Sequence, residues 1–311
     1  MSNRPNRDEP GWHLVVDPSS DGQRLDRFIA SRIVRVSRAR ASRLHVVDLA
    51  APTIPLKKSA SVREGQELWV SRPIPDADVE VPTPKVLVNT EQFVIIDKPA
   101  GLAVHPSASR FRGTVTHWLA SNPEFHQTKP AHRLDVETSG VLVCTRPPTE
   151  FEMGRIFAEH RAKKTYLAVI EGRPPTEEWV VDTSLGFDEQ STIRLKMGPG
   201  SLPAETRFIV RRRGPSRTLV EAHPITGRQH QIRVHLQMSG YPIVGDKLYG
   251  PDEHLFIDSR SGPLSEGQLA RLGHHRQALH AWKIELPLES GTLSCEAPLP
   301  QDLADLLSMI D

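Results

Sequence analysis

Residues 208–222 read FIVRRRGPSRTLVEA. Apolar runs flank Gly214-Pro215-Ser216, residue types that turn a chain back on itself, so the stretch predicts a β-hairpin. The same reading extends upstream. VLVNTEQFVIID at 86–97 sets two apolar runs around Asn89-Thr90-Glu91, while VLVCT at 141–145 and TYLAVIEG at 165–172 read as strands. Helices interrupt them: Thr149 and Glu152 fit a capping box opening a helix to about His160, and 227–239 reads as a helix stopped by Gly240. Hairpins mixed with single helices predict an α+β domain over 86–311, on a mixed, largely antiparallel sheet with flanking helices.

Before it, Pro73, Pro75, Pro82 and Pro84 break any helix and predict an extended linker at 73–85. Further upstream, RLDRFIASRIV at 24–34 places Leu25, Phe28, Ile29 and Ile33 at helical spacing. Ser37 is a candidate N-cap for a second helix through about Leu44, and VREGQELWV at 62–70 reads as a turn at Glu64-Gly65 and a short strand. Arg24, Arg27, Arg32, Arg35, Arg38, Arg40 and Arg43 face only Asp26 in this region, on a chain whose net charge is +1. Guanidinium forks suit phosphate oxygens better than ammonium groups do, which makes Arg24, Arg27, Arg38, Arg40 and Arg43 candidate phosphate contacts. Two basic helices followed by a small strand unit resemble the S-four-like RNA-binding module, named for a ribosomal small-subunit protein. The resemblance implies a small α/β RNA-binding module at 12–72. Members usually turn with glycine and asparagine after the second helix, where this chain has LAAPTIPLKKS.

Composition narrows the classes. The 311 residues are 38% apolar and 25% charged, ordinary for a soluble globular protein. Cys144 and Cys295 stand far apart without metal-finger spacing and are expected as buried thiols. No apolar run approaches the roughly 20 residues of a membrane span, and the polar start MSNRPNRDEPG lacks a signal-peptide core. The chain is expected to be cytoplasmic and monomeric, without a membrane partner.

Chemistry-bearing residues gather in a few segments. In HRLDVETSG, Arg133 and Asp135 lie two apart and point the same way on an extended chain, while Thr138, Ser139 and Gly140 let backbone or ligand approach closely. An ordinary ion pair at a strand entrance would read the same. TGRQHQIRVHLQ brings Arg228, His230, Gln231, Arg233, His235 and Gln237 together, with Ile232 and Leu236 as a core stripe. Such a set suits phosphate, base edges or a buried carboxylate, though a polar outer face has the same composition.

HRLDVETSG, TGRQHQIRVH, GYPIVGDKLYG and RQALHA, in this order, resemble the RluA-type family of pseudouridine synthases from about Asp97 to Leu303. The resemblance implies Asp135 as the catalytic aspartate, Tyr166 of KKTYLAV as the active-site tyrosine and Arg233 of HQIR as the arginine paired with the aspartate. It gives Arg133 the place of the arginine that enters the RNA helix where a base has left, and Arg228 is expected to contact RNA. Val136 and Glu137 depart from the commoner lysine and aspartate. Moving uracil from an N1 to a C5 link transfers no electrons or phosphate, so neither cofactor nor metal is expected. The partner implied is structured RNA, large-subunit ribosomal RNA first and transfer RNA second. Two rivals fare worse. A silent RNA-binding protein need not keep Asp135, Tyr166 and Arg233 together, and a metal-dependent hydrolase would show HExxH, HxxEH or cysteine-bearing spacing.

Overall fold

The computed structural model describes residues 11–34, 36–42, 44–71, 81–106, 113–289 and 291–309, which divide into two units. The first holds the residues through 71 with Pro106; the second holds 81–105 and 113–309. The expected linker at 73–85 lies, through residue 80, outside the described residues.

In the first unit, strands β1 (Gly11–Val15), β2 (His45–Asp48), β3 (Ala51–Pro55) and β4 (Glu67–Ser71) form an antiparallel sheet in the order β1-β4-β2-β3. Helix α1 (Leu25–Arg32) turns Leu25, Phe28 and Ile29 into a core with Val46, Leu68 and Val70, and Ile33 joins at its C-cap. That apolar stripe is why α1 forms: helical spacing puts all four on one side. Helix α2 (Arg38–Ala41) stops short of the expected Leu44, because His45 must enter β2 opposite Ser71. The basic face is also less free than its composition suggests. Arg24 reaches the buried Asp26 through Nε and Nη2 at 3.2 and 3.0 Å, and Arg38 Nε reaches it at 3.2 Å. Chiefly through the Arg24 hydrogen bonds, the Asp26 carboxyl is held down to about 2. Arg27 is exposed; Arg43 and the side chain of Arg40 lie outside the described residues.

The second unit begins with β5 (Lys85–Asn89) and β6 (Phe93–Lys98), the expected hairpin, then α3 (Val115–Ser121), β7 (Lys129–Pro130) and β8 (Ser139–Thr145). Helix α4 (Glu150–Ala158) leads to β9 (Lys163–Glu171), β10 (Glu178–Val181), β11 (Leu185–Phe187) and β12 (Met197–Pro199). Strands β13 (Thr206–Arg213) and β14 (Arg217–Pro224) form the hairpin about Gly214-Pro215-Ser216. Helices α5 (Gln231–Met238), α6 (His254–Ser261) and α7 (Glu266–Leu272), strands β15 (Leu279–Leu288) and β16 (Gly291–Glu296), and α8 (Gln301–Ser308) complete it. The main sheet runs β10-β13-β14-β9-β15-β8-β6-β5, with β16 on β15 and β7 on β8. Its pairs are antiparallel except β15 with β8, where His280 and Ala281 lie beside Ser139 and Gly140.

Alternation explains why β8 is buried along its whole length. Val141 and Val143 pack beside Met153 and Ile156 of α4, whereas Leu142 and Cys144 pack with Val115 and Leu119 of α3. Both faces are covered, so the strand reads as an unbroken apolar run. A third cluster joins Val169, Phe208 and Val220 of the sheet to Ile232 and Leu236 of α5 and Leu303 of α8. Cys144 and Cys295 are free and buried. Among the described residues no helix is long and apolar enough to cross a membrane.

Two helix starts differ from expectation. Thr149 precedes α4 with helical backbone angles, and its hydroxyl lies 2.7 Å from the carbonyls of Gln92 and Arg146, so no capping box forms with Glu152. The helix expected from Gly227 begins at Gln231. Its amide oxygen accepts from the Arg228 N–H at 2.9 Å and the Thr226 hydroxyl at 2.7 Å, holding 226–230 as a loop. His230 then turns through φ +56° into α5.

Candidate active site

Three separate elements deliver the residues singled out above. Asp135 lies on the loop before β8, Tyr166 on β9 and Arg233 on the first turn of α5. Asp135 and Arg233 are 98 positions apart, yet Arg233 Nη1 donates to Asp135 Oδ2 at 2.8 Å. All three line one cavity of about 440 Å³, the size of a small-molecule site. Arg133 and Arg228 line it too, Arg133 on an exposed side chain and Arg228 with Nε bonded to the Pro203 carbonyl at 2.9 Å. Leu134, buried between Arg133 and Asp135, anchors the segment so that its neighbours face the cavity.

Residues not singled out from the sequence hold this pair in place. Asp246 is fully buried and grips Arg233 at both forks, Oδ2 to Nε at 2.7 Å and Oδ1 to Nη2 at 2.9 Å. Its Oδ1 also accepts the N–H groups of Leu248 and Tyr249 at 2.9 and 3.0 Å. Arg233 therefore offers Asp135 the one fork nitrogen that Asp246 leaves. The Tyr249 ring lies 4.9 Å from the guanidinium carbon, within cation–π range. Its hydroxyl accepts from Met197 N–H and donates to His230 Nδ1, both at 2.8 Å. That assignment leaves the proton of a neutral imidazole on Nε2, 3.8 Å from Asp135 Oδ1. GDKLYG, already part of the quoted motif, was the available signal, but its spacing alone does not say that its aspartate faces an arginine 13 residues earlier.

The charges follow from these contacts. Burial alone would raise the Asp135 carboxyl, but Arg233 beside it outweighs this and holds it below the ordinary carboxylate range. Burial opposes the charged form of Arg233 too, and Asp246 and Asp135 more than restore it. Burial lowers His230 to about 4, so it is neutral near pH 7. Burial first, and Asp135 second, push the Tyr166 phenol up, so it stays protonated. The site thus presents an oriented carboxylate, a protonated phenol and a flat ring.

The loop carrying Asp135 is tied down from behind. Glu137, one of the two departures from the family pattern, bonds Lys247 Nζ at 2.7 Å, and its carbonyl accepts from Arg276 at 3.0 Å. Gln277 donates to the Thr138 hydroxyl at 2.7 Å, and Arg276 is held by Asp302 at 2.6 and 3.0 Å. RQALHA therefore braces the loop. His274, His275 and Asp302 form a cluster with metal-ligand atoms close together, away from the residues of the cavity, but the Asp302 carboxylate is already spent on Arg276.

Comparison with known proteins agrees with this reading. Residues 92–238 match the model of the RNA pseudouridylate synthase family. The chain is 34% identical over 316 residues to ribosomal large subunit pseudouridine synthase D of Nitrosomonas europaea, covering 96% of this chain and 87% of that protein. It is 28% identical to ribosomal large subunit pseudouridine synthase C of Pasteurella multocida, over 96% and 93%. Among solved structures, human RNA pseudouridylate synthase domain containing 4 aligns with TM-score 0.56 and 28% identity, over 72% of this chain and 92% of that one. An oriented carboxylate in a nucleotide-sized cavity, the ordered motifs and these full-length similarities have one reading: the chain belongs to the RNA pseudouridylate synthase family, in its RluA-type branch, and isomerises uridine in RNA to pseudouridine.

Proposed function

We propose that the enzyme modifies uridine in large-subunit ribosomal RNA, with Asp135 as its essential carboxylate. The observation that carries the site assignment is the 2.8 Å contact between Asp135 and Arg233 in a cavity shared with Tyr166. Asp135 acts at the anomeric carbon, as nucleophile or by assisting a glycal-like intermediate, while the glycosidic bond opens. Arg233 keeps it ionised and aimed. Tyr166 supports the turned uracil, and its phenol, protonated at rest, helps remove the C5 proton by passing its own proton to the Asp135 carboxylate as it takes that one. The target base must leave its stack, and Arg133 fills the vacated place. Arg228 contacts RNA beside it. The names of the relatives above support ribosomal RNA, and transfer RNA is the second candidate. All three site side chains come from one chain, which fits a monomer, acting in the cytoplasm where such RNA is found.

The N-terminal residues 12–72 serve as an S-four-like RNA-binding module, joined by the linker 73–85 to the catalytic domain 86–311. Arg24 and Arg38 keep side chains 49% and 61% exposed despite their bonds to Asp26, so their outer faces remain open to phosphate. One experiment tests site and substrate together. Pseudouridines are mapped in total RNA from cells lacking the gene and supplied with the wild type or with Asp135→Asn. Sites in large-subunit RNA should return with the wild type and stay absent with the variant. Return with the variant refutes the role of Asp135, and sites restored only in transfer RNA refute the substrate.

A further inference from the structure

One cation in the cavity has no use in the steps above. Lys164 precedes Tyr166 by two on β9, so both side chains leave the same face of the strand, about 7 Å apart along it. It lines the cavity with His132, His160, Gly227 and Arg228. A side-chain carbon placed on Gly227 would stand 3.6 Å from Lys164 Nζ, so the ammonium reaches the loop before α5. Among the described residues Lys164 has neither an acidic partner nor a hydrogen-bond acceptor, and burial alone lowers its pKa.

Its neighbours do not balance it. His132 Nε2 accepts the Val143 N–H at 3.0 Å and its ring stacks on Phe157, so this imidazole is neutral. Burial, with Lys164 adding to it, lowers His132 to about 3. A half-buried ammonium without a counter-charge is costly for the free protein and suits an anion brought by a ligand. The resting uracil is neutral. A uridine within RNA carries formal negative charge at the two phosphodiesters that join it to its neighbours.

We propose that Lys164 binds a phosphodiester adjoining the flipped uridine and so adds to the affinity for RNA. This rests on the cavity being the uridine site, but its test reads binding and leaves the role of Asp135 to the turnover of Asp135→Asn. The probe is a synthetic stem-loop around a uridine that the wild-type enzyme converts. Lys164→Met, close in shape and without charge, should weaken binding roughly ten- to a hundredfold and lower the salt slope by about 0.7. At saturating RNA its kcat should stay close to the wild type, and Lys164→Arg should recover most of the affinity. A second arm needs no variant. Stem-loops carry one neutral methylphosphonate, 5′ or 3′ of the target, beside a 2′-deoxy sugar, with the deoxy phosphodiester as control. At one linkage the wild type should lose what Lys164→Met loses, and Lys164→Met should lose nothing more there. Unchanged binding by Lys164→Met, a fall in kcat without a rise in KM, or losses that multiply at both linkages would each overturn the proposal.

Discussion

Arg233 serves two carboxylates, and the division of its fork is the main electrostatic feature of the site. Asp246 takes Nε and Nη2, leaving Nη1 for Asp135. A lone Arg–Asp pair would be free to rotate and would cancel its own charge. Here the buried Asp246 fixes the guanidinium plane, and the three side chains together carry a net negative charge. Asp246→Asn keeps the shape and can still accept from Leu248 and Tyr249, but removes the second counter-charge. We expect kcat to fall roughly a hundredfold through misplacement of Asp135, with KM little changed and the unfolding temperature lowered. A folded Asp246→Asn enzyme with wild-type turnover would show that Asp246 only supports the fold. Asp135, Tyr166 and Arg233 were legible in the sequence because motifs name residues one at a time. Asp246 was not, since its importance lies in a pairing made by the loop between α5 and α6.

Among the elements, β8 is the one on which the site hangs. Gly140 sits at φ +112°, and a Cβ there would lie 2.2 Å from the Ala281 carbonyl oxygen. Only glycine lets β15 run alongside at that point, immediately after the loop bearing Asp135. Beside it, Ser139 Oγ and His280 Nδ1 lie 2.9 Å apart. Gly140→Ala should destabilise the second unit by about 3 kcal/mol or more, from overpacking and backbone strain together. The denaturant midpoint reads this directly; a shift within error would mean that β8 and β15 separate at little cost. The strands and both hairpins were legible because apolar runs and turn residues are local. Helix starts were not. Gly227 looked like the beginning of α5, but the Gln231 side chain caps the preceding loop, and sequence spacing does not reveal which way a glutamine amide bends.

At the scale of the whole molecule, the two units have separate cores, the first around α1 and the second around the main sheet. Deleting Met1–Arg72 should therefore leave a soluble enzyme that still converts a short stem-loop at high concentration. Its affinity for full-length RNA should fall, with a shallower salt dependence because fewer counterions are released. Equal binding by the truncated and intact proteins at every salt concentration would remove the RNA-binding role of the first unit. Within the second unit, the parallel contact of β8 with β15 joins residues as much as 141 positions apart. A ribosome adding roughly 5–20 residues per second takes roughly 7–28 seconds to make that interval. Throughout it, the edge of the nascent β8 at Ser139 and Gly140 waits for a partner still to be synthesised, while α3, and soon α4, are there to cover its faces. Such an edge can pair with another chain. The contact that completes the carboxylate loop thus also sets the period during which a newborn molecule most needs a chaperone.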